Sequence, residues 1–181
     1  LYSSSGLRNY TRSLFFVLCK AVHDLYPKSS VVIDIPVSNG YYCNLELGHP
    51  VGLEDVDKIR TRMQEIVDAK MPIRRYVVPT EDAIRMFEEK GDLAKVKLLK
   101  SAGKLYTTYY KIDDYVDYYY GALLTNAKYL DLFGVEKYYD GILLRIPDKK
   151  DPSKLGELIR QDKMFDIFKE HHRWQKIMGI Q

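Results

Sequence analysis

The sequence predicts an α+β fold: a mainly antiparallel sheet with helices packed on one face, followed by a C-terminal helical tail. Three observations carry that reading. Residues 10–78 run as amphipathic helix, strand pair, second helix and strand. Residues 104–147 alternate as strands joined by polar turns. After residue 148 the pattern becomes a polar linker, then a helical period. Two units follow, an α+β domain over 1–147 and a linker with tail over 148–181.

The first element begins at Tyr10, after a small polar lead-in. Leu14, Val17, Leu18, Ala21, Val22 and Leu25 recur at steps of three and four, giving one apolar helix face that Pro27 ends. Val31–Val37 is β-branched, Ser38-Asn39-Gly40 is a turn signal, and Tyr41–Leu47 alternates, so these form a hairpin. Leu53–Lys70 is the second helix, with Glu54 and Asp55 in its first turn and a stripe of Val56, Ile59, Met63, Ile66 and Val67. Ile73–Val78 is a strand. Glu81–Lys90 is a third helix with Thr80 as its N-cap and Ala83, Ile84 and Phe87 inward. Leu93–Leu99 fits helix or strand equally. Residues 104–120 read as two strands around Asp113-Asp114. Residues 128–147 read as two or three more, with Asp140-Gly141 as a hairpin turn. Residues 155–179 form the tail, with Met164, Phe165, Ile167, Phe168 and Trp174 apolar.

Composition narrows the classes. The chain is 46% hydrophobic and 29% charged, which excludes a disordered protein. Its net charge of +3 is too small to argue for nucleic acid by itself. The 2 cysteines, Cys19 and Cys43, cannot build a disulfide framework, which predicts a reducing cytoplasm. No apolar run approaches the roughly 20 residues of a membrane helix, and no signal peptide is visible. Leu1 in place of Met fits a trimmed start or an engineered one equally. The 16 tyrosines against 6 phenylalanines are unusual.

Several residues carry chemistry. Tyr106, Tyr109, Tyr110, Tyr115, Tyr118, Tyr119 and Tyr120 could stack bases, though half-buried strand positions suit them as well. Asp113, Asp114 and Asp117 could form a carboxylate set, but turn formers and exposed charges look the same. His171 and His172 are adjacent, a poor spacing for two ligands on one helix. His23 and His49 have no partner at ligand spacing, and Cys19 and Cys43 read as small core residues. Arg74 and Arg75, with Arg60 and Arg62, form a local basic patch suited to phosphate or to a solvated face.

Four phrases in order, AVHDLYP, NGYYCNLEL, VGLEDVDKIRTRMQEIV and MPIRRYVVPTEDAIRMFEEKGDLAKVKLL, resemble the second additional domain of bacterial threonyl-tRNA synthetases. That is the editing domain shared with alanyl-tRNA synthetase relatives. VDYYYGALLTNAKYLDLF continues the resemblance to residue 133, about three quarters of the chain. The family's editing site carries a His-x-x-x-His pair, which falls here on Arg12 and Phe16. Its Cys-x-x-x-His pair falls on Tyr119 and Leu123. None of the four readily binds zinc or activates water, so the resemblance implies a scaffold without catalytic residues or metal. Tyr118, Tyr120 and Asp117 would line the relict cleft.

The segments YYDGILLRIPDKKDPSKL and MFDIFKEHHRWQKIMGI resemble the N-terminal region of bacterial two-domain proteins similar to uridine kinase. That resemblance implies a non-catalytic accessory domain serving recognition, regulation or assembly. A P-loop kinase domain would follow on the C-terminal side and hold ATP and Mg. No GxxxxGK[ST] occurs here, so this chain would hold no cofactor. The alternatives are an RNA- or tRNA-binding module, a residual editing-type hydrolase, or a cleft for a nucleoside; no membrane partner is expected.

Overall fold

The computed structural model describes residues 4–37, 40–118, 121–148 and 153–155. The helical tail expected over 155–179, with His171 and His172, lies outside these residues beyond Leu155.

In chain order the elements are α1 (Ser4–Leu25), β1 (Ser30–Val37), β2 (Gly40–Glu46), α2 (Leu53–Asp68), β3 (Arg74–Pro79), α3 (Thr80–Glu89), α4 (Leu93–Ala102), β4 (Tyr106–Ile112) and β5 (Tyr115–Tyr118). A 3₁₀ turn (Ala127–Tyr129), β6 (Gly134–Tyr138) and β7 (Gly141–Arg145) complete them. The fold is α+β with antiparallel pairing throughout, as expected. The strands divide into two sheets, ordered β1-β2-β7-β6 and β3-β4-β5. Two helices, α3 and α4, lie between β3 and its partner β4 in the chain and cover the smaller sheet as a separate unit.

The main core lies between α1, α2 and one face of the four-stranded sheet. The α1 stripe of Leu14, Val17, Leu18, Ala21 and Val22 is buried, and Val56, Ile59, Met63, Ile66 and Val67 of α2 meet it. Cys43 and Leu45 of β2 and Ile142 and Leu144 of β7 supply the sheet side. Their neighbours Tyr42 and Leu143 point the other way and pack with Val37 and Tyr138, as a period of two requires. In the small sheet, Val116 packs with Ala83, Phe87, Val96 and Leu99 of α3 and α4. Tyr110 and Ile112 join the main core from the same sheet.

Several boundaries differ from the periodicity. Helix α1 starts six residues before Tyr10, because backbone hydrogen bonds propagate a helix whether or not its first turn is apolar. Leu93–Ala102 is a helix, with the Asp92 side chain accepting from Lys95 N at 3.3 Å and Gly103 closing it at φ 66°. Thr80 is the first residue of α3 and not its N-cap; its hydroxyl pairs instead with Thr107 across the sheet at 2.9 Å. The β6–β7 turn is Tyr139-Asp140, one residue earlier than expected, with Tyr139 at φ 51°. Gly141 is needed for a different reason. A Cβ there would lie 2.9 Å from Tyr42 Cε1 and closer still to the Cys43 carbonyl oxygen.

Candidate functional site

The first three turns of α1 bind the segment that follows β5. Ser13 Oγ donates to the Asn9 carbonyl at 2.7 Å and accepts from Leu124 N at 2.7 Å. Arg12 Nε donates to the Ala122 carbonyl at 3.2 Å, and Nη2 donates to Asn9 Oδ1 at 2.6 Å. Tyr10 O–H donates to the Leu132 carbonyl at 2.6 Å and accepts from Leu132 N at 3.0 Å. Burial pushes the Tyr10 phenol up to about 12, so it stays a neutral donor. Hydroxyls one helical turn apart therefore hold a loop more than a hundred residues away.

Three of the four positions at which the resemblance places metal ligands lie on the two segments that this junction joins. Phe16 is fully buried, its ring 5.4 Å from that of Tyr115. Leu123 joins the same apolar cluster. The Arg12 guanidinium rests on Gly121. Tyr119 lies outside the described residues, as does Tyr120. A guanidinium, a phenyl ring and an isobutyl group offer zinc no lone pair, so the side chains here do not fit the metal of the family's editing site. Among the described residues no three His, Cys, Asp or Glu side chains converge as a metal set.

Beside the junction runs a groove of about 510 Å³, bounded by Cys19 and His23 of α1, Lys90 and Lys95 of the α3–α4 unit, and Tyr115 and Asp117 of β5. Asp117 accepts from Tyr115 O–H at 3.2 Å and pairs with Lys95 Nζ at 3.0 Å. Lys95 also reaches Asp92 at 2.9 Å. Burial alone would lower the Lys95 ammonium, but the facing Asp117 and Asp92 outweigh it and hold the group above its usual range. Burial pushes the Cys19 thiol up to about 12, so it is no nucleophile. The groove thus offers a fixed ion pair, an imidazole and hydroxyls. These can orient a polar ligand, but no base–nucleophile pair stands ready to cleave one.

Of the proposed cleft residues, Asp117 lines this groove while Tyr118 lines a different pocket. Lys95 was not singled out by sequence: it lies twenty-two residues from Asp117, a separation with no periodic signature. Asp113 and Asp114 form the β4–β5 turn, with Asp113 at φ 54°. Asp114 also meets the buried Lys20 ammonium at 3.3 Å. His49 does find a partner, Asp55, at 3.1 Å. The basic patch does not assemble: Arg60 binds the Val135 carbonyl, Arg62 binds Asp24, and Arg74 and Arg75 remain on exposed β3. Most tyrosines serve packing. Tyr110 is buried, and Tyr109 stacks on Tyr76 at 5.1 Å. Among the described residues no helix is long and apolar enough to cross a membrane.

No protein-family model matches the chain. Curated relatives do. The chain is 30% identical over 125 residues to the threonine–tRNA ligase of Carboxydothermus hydrogenoformans, covering 68% of this chain and 20% of the ligase. It is 32% identical over 182 residues to that of Syntrophotalea carbinolica (90% and 28%), and 27% identical over 195 residues to that of Acetivibrio thermocellus (91% and 30%). The chain spans about a fifth to three tenths of the length of these relatives. The α+β region is therefore similar to part of the threonyl-tRNA synthetases, in keeping with an editing-domain-like fold. A match covering 91% of 181 residues must run past residue 148, so the likeness to the synthetases extends beyond the α+β region. These relatives lend no support to a uridine kinase-like parent.

Proposed function

We propose that this chain is a recognition module of the threonyl-tRNA synthetase editing-domain type, acting in the cytoplasm, that binds tRNA or a similar RNA end without hydrolysing it. One observation carries the reading: a scaffold similar to part of these ligases whose described metal-ligand positions hold Arg12, Phe16 and Leu123. The groove with the Lys95–Asp117 pair supports it further, since a fixed ion pair can orient a ribose or amino group. Binding of tRNA that weakens steeply with salt, together with no deacylation of mischarged tRNA, is the expected result. Deacylation that is lost on chelation, or zinc at one equivalent per chain, would overturn the reading and return an editing-type hydrolase to first place.

A second reading rests only on the resemblance, in sequence pattern, of YYDGILLRIPDKKDPSKL and MFDIFKEHHRWQKIMGI to uridine kinase-like proteins, to which the curated relatives add nothing. Here the module would serve a P-loop kinase domain in cis, which would carry ATP and Mg, and the groove would take a nucleoside. A GxxxxGK[ST] motif in the gene beyond Gln181 is its test, and a synthetase catalytic domain there would exclude it.

A further inference from the structure

A second cavity of about 210 Å³ lies beside the three-stranded sheet, lined by Arg75, Lys104, Tyr106, Thr108, Tyr118 and Gly121 among others. It shares no lining residue with the Asp117 groove. Its wall carries two cations, three phenols and no carboxylate. A third cation adjoins it, because the Arg12 guanidinium rests on Gly121. The sheet register explains the grouping. Arg75 pairs with Tyr110 and Pro79 with Tyr106, which sets the arginine and the exposed phenol along one stretch of the β3–β4 ladder. Arg75 makes no ion pair among the described residues, whereas Arg60, Arg62 and Arg85 all do. Tyr106 is 64% exposed, a large aromatic surface that packing does not explain.

An anion is the partner this wall fits. A guanidinium presents a planar fork to phosphate oxygens, and Lys104 adds a point charge. The volume is below that of a drug-sized pocket, so it suits one group of a ligand and not the whole. A ring left at the mouth can stack on Tyr106. We infer that this pocket binds the phosphoryl group of a ribonucleotide, with the base stacked on Tyr106. A free mononucleotide and a nucleotide within an RNA strand share that chemistry. The RNA source rests on the proposed module reading; the mononucleotide source does not.

The test uses the full chain and fluorescence anisotropy of a short fluorescein-labelled single-stranded RNA, with AMP, inorganic phosphate and unlabelled RNA as competitors. Arg75→Glu is expected to weaken binding at least about tenfold and to lower the salt slope by about one. Tyr106→Ala, at an exposed position, is expected to weaken it about tenfold. Arg85→Glu, on the far side of α3, leaves it unchanged. Displacement by AMP identifies a mononucleotide source, and displacement by unlabelled RNA alone identifies a strand; either supports the inference. Absent binding, equal binding across the variants, or phosphate competing as well as AMP overturns it. RNA bound equally by all variants sinks the pocket and leaves the module reading standing, and labelled RNA that AMP displaces and Arg75→Glu weakens, with no competition from tRNA, does the reverse.

Discussion

The Arg12 guanidinium fills the space that a side chain at position 121 would need. A Cβ on Gly121 would lie 2.5 Å from Arg12 Nε and 2.8 Å from Nη1. Glycine at 121 and arginine at 12 therefore form a complementary pair, the missing side chain leaving room for the guanidinium.

Gly121→Ala should displace the arginine from the Ala122 carbonyl at a cost of about 1 kcal/mol, since a flexible side chain can swing aside. Gly141→Ala has no such exit, because backbone oxygen and a packed ring face it, and about 3 kcal/mol is expected. Urea denaturation compares the two; equal losses would contradict the assigned causes.

Phe16→His restores the ligand type that the resemblance places there, but it sets an imidazole in a fully apolar cluster. A loss of about 3 kcal/mol is expected from lost packing and an unpaired ring nitrogen. Arg12→His, at a half-buried position, should cost about 1 kcal/mol. A midpoint unchanged by Phe16→His would mean that position 16 is not core.

Lys20 is 1% exposed and its ammonium meets Asp24 at 2.9 Å, while Asp24 also accepts from Arg62 Nη2 at 2.9 Å. Asp24→Ala strands the buried cation with Asp114 and Asp113, and a loss of about 3 kcal/mol follows. Lys20→Met leaves Asp24 its arginine and fills the volume with apolar atoms, so a change of about 1 kcal/mol or less is expected. Chemical denaturation in low and high salt ranks them, and the reverse order would refute this account.

Asp55 accepts from Tyr26 O–H at 2.5 Å and from Gly52 N at 2.8 Å, and it faces His49. Burial alone would raise its carboxyl; the hydrogen bonds outweigh burial and hold it at about 2. A depressed folded value gives stability that is complete above the ordinary carboxylate value of about 4 and is lost as pH falls toward about 2. The contribution is about 2 kcal/mol. The carboxyl of Asp114 is also lowered: burial would raise it, but the Lys20 ammonium outweighs that, and its loss runs in the same direction. Asp55→Asn should flatten the acid limb of a pH–stability curve between pH 2 and 5, and an unaltered limb would rule the carboxylate out.

The helices α1, α2 and α3 and the β1–β2 hairpin were legible because each wears its period on its own residues. Leu14 through Val22 and Val56 through Val67 mark buried stripes within one element, and a stripe needs no knowledge of what covers it. The four relict positions were legible only through resemblance. Arg12 and Phe16 lie on α1 and Leu123 on the segment that α1 holds, and Tyr119 lies outside the described residues. The Arg60–Arg75 patch misled because adjacency in sequence sets no shared face; Arg62 turns to Asp24 and Arg60 to Val135.

By itself the sequence determined most of the elements, since their periods are local, and the chemistry of the side chains at positions 12, 16 and 123, which only a resemblance marks as ligand positions. Only the tertiary structure decided that the strands split into two sheets, that Lys95 meets Asp117, that Lys20 is buried beside the β4–β5 turn, and that Arg75, Lys104 and Tyr106 share a wall. Contacts between residues far apart in the chain depend on how whole faces close over a common core. That closure is a property of three-dimensional packing and leaves no period in the sequence.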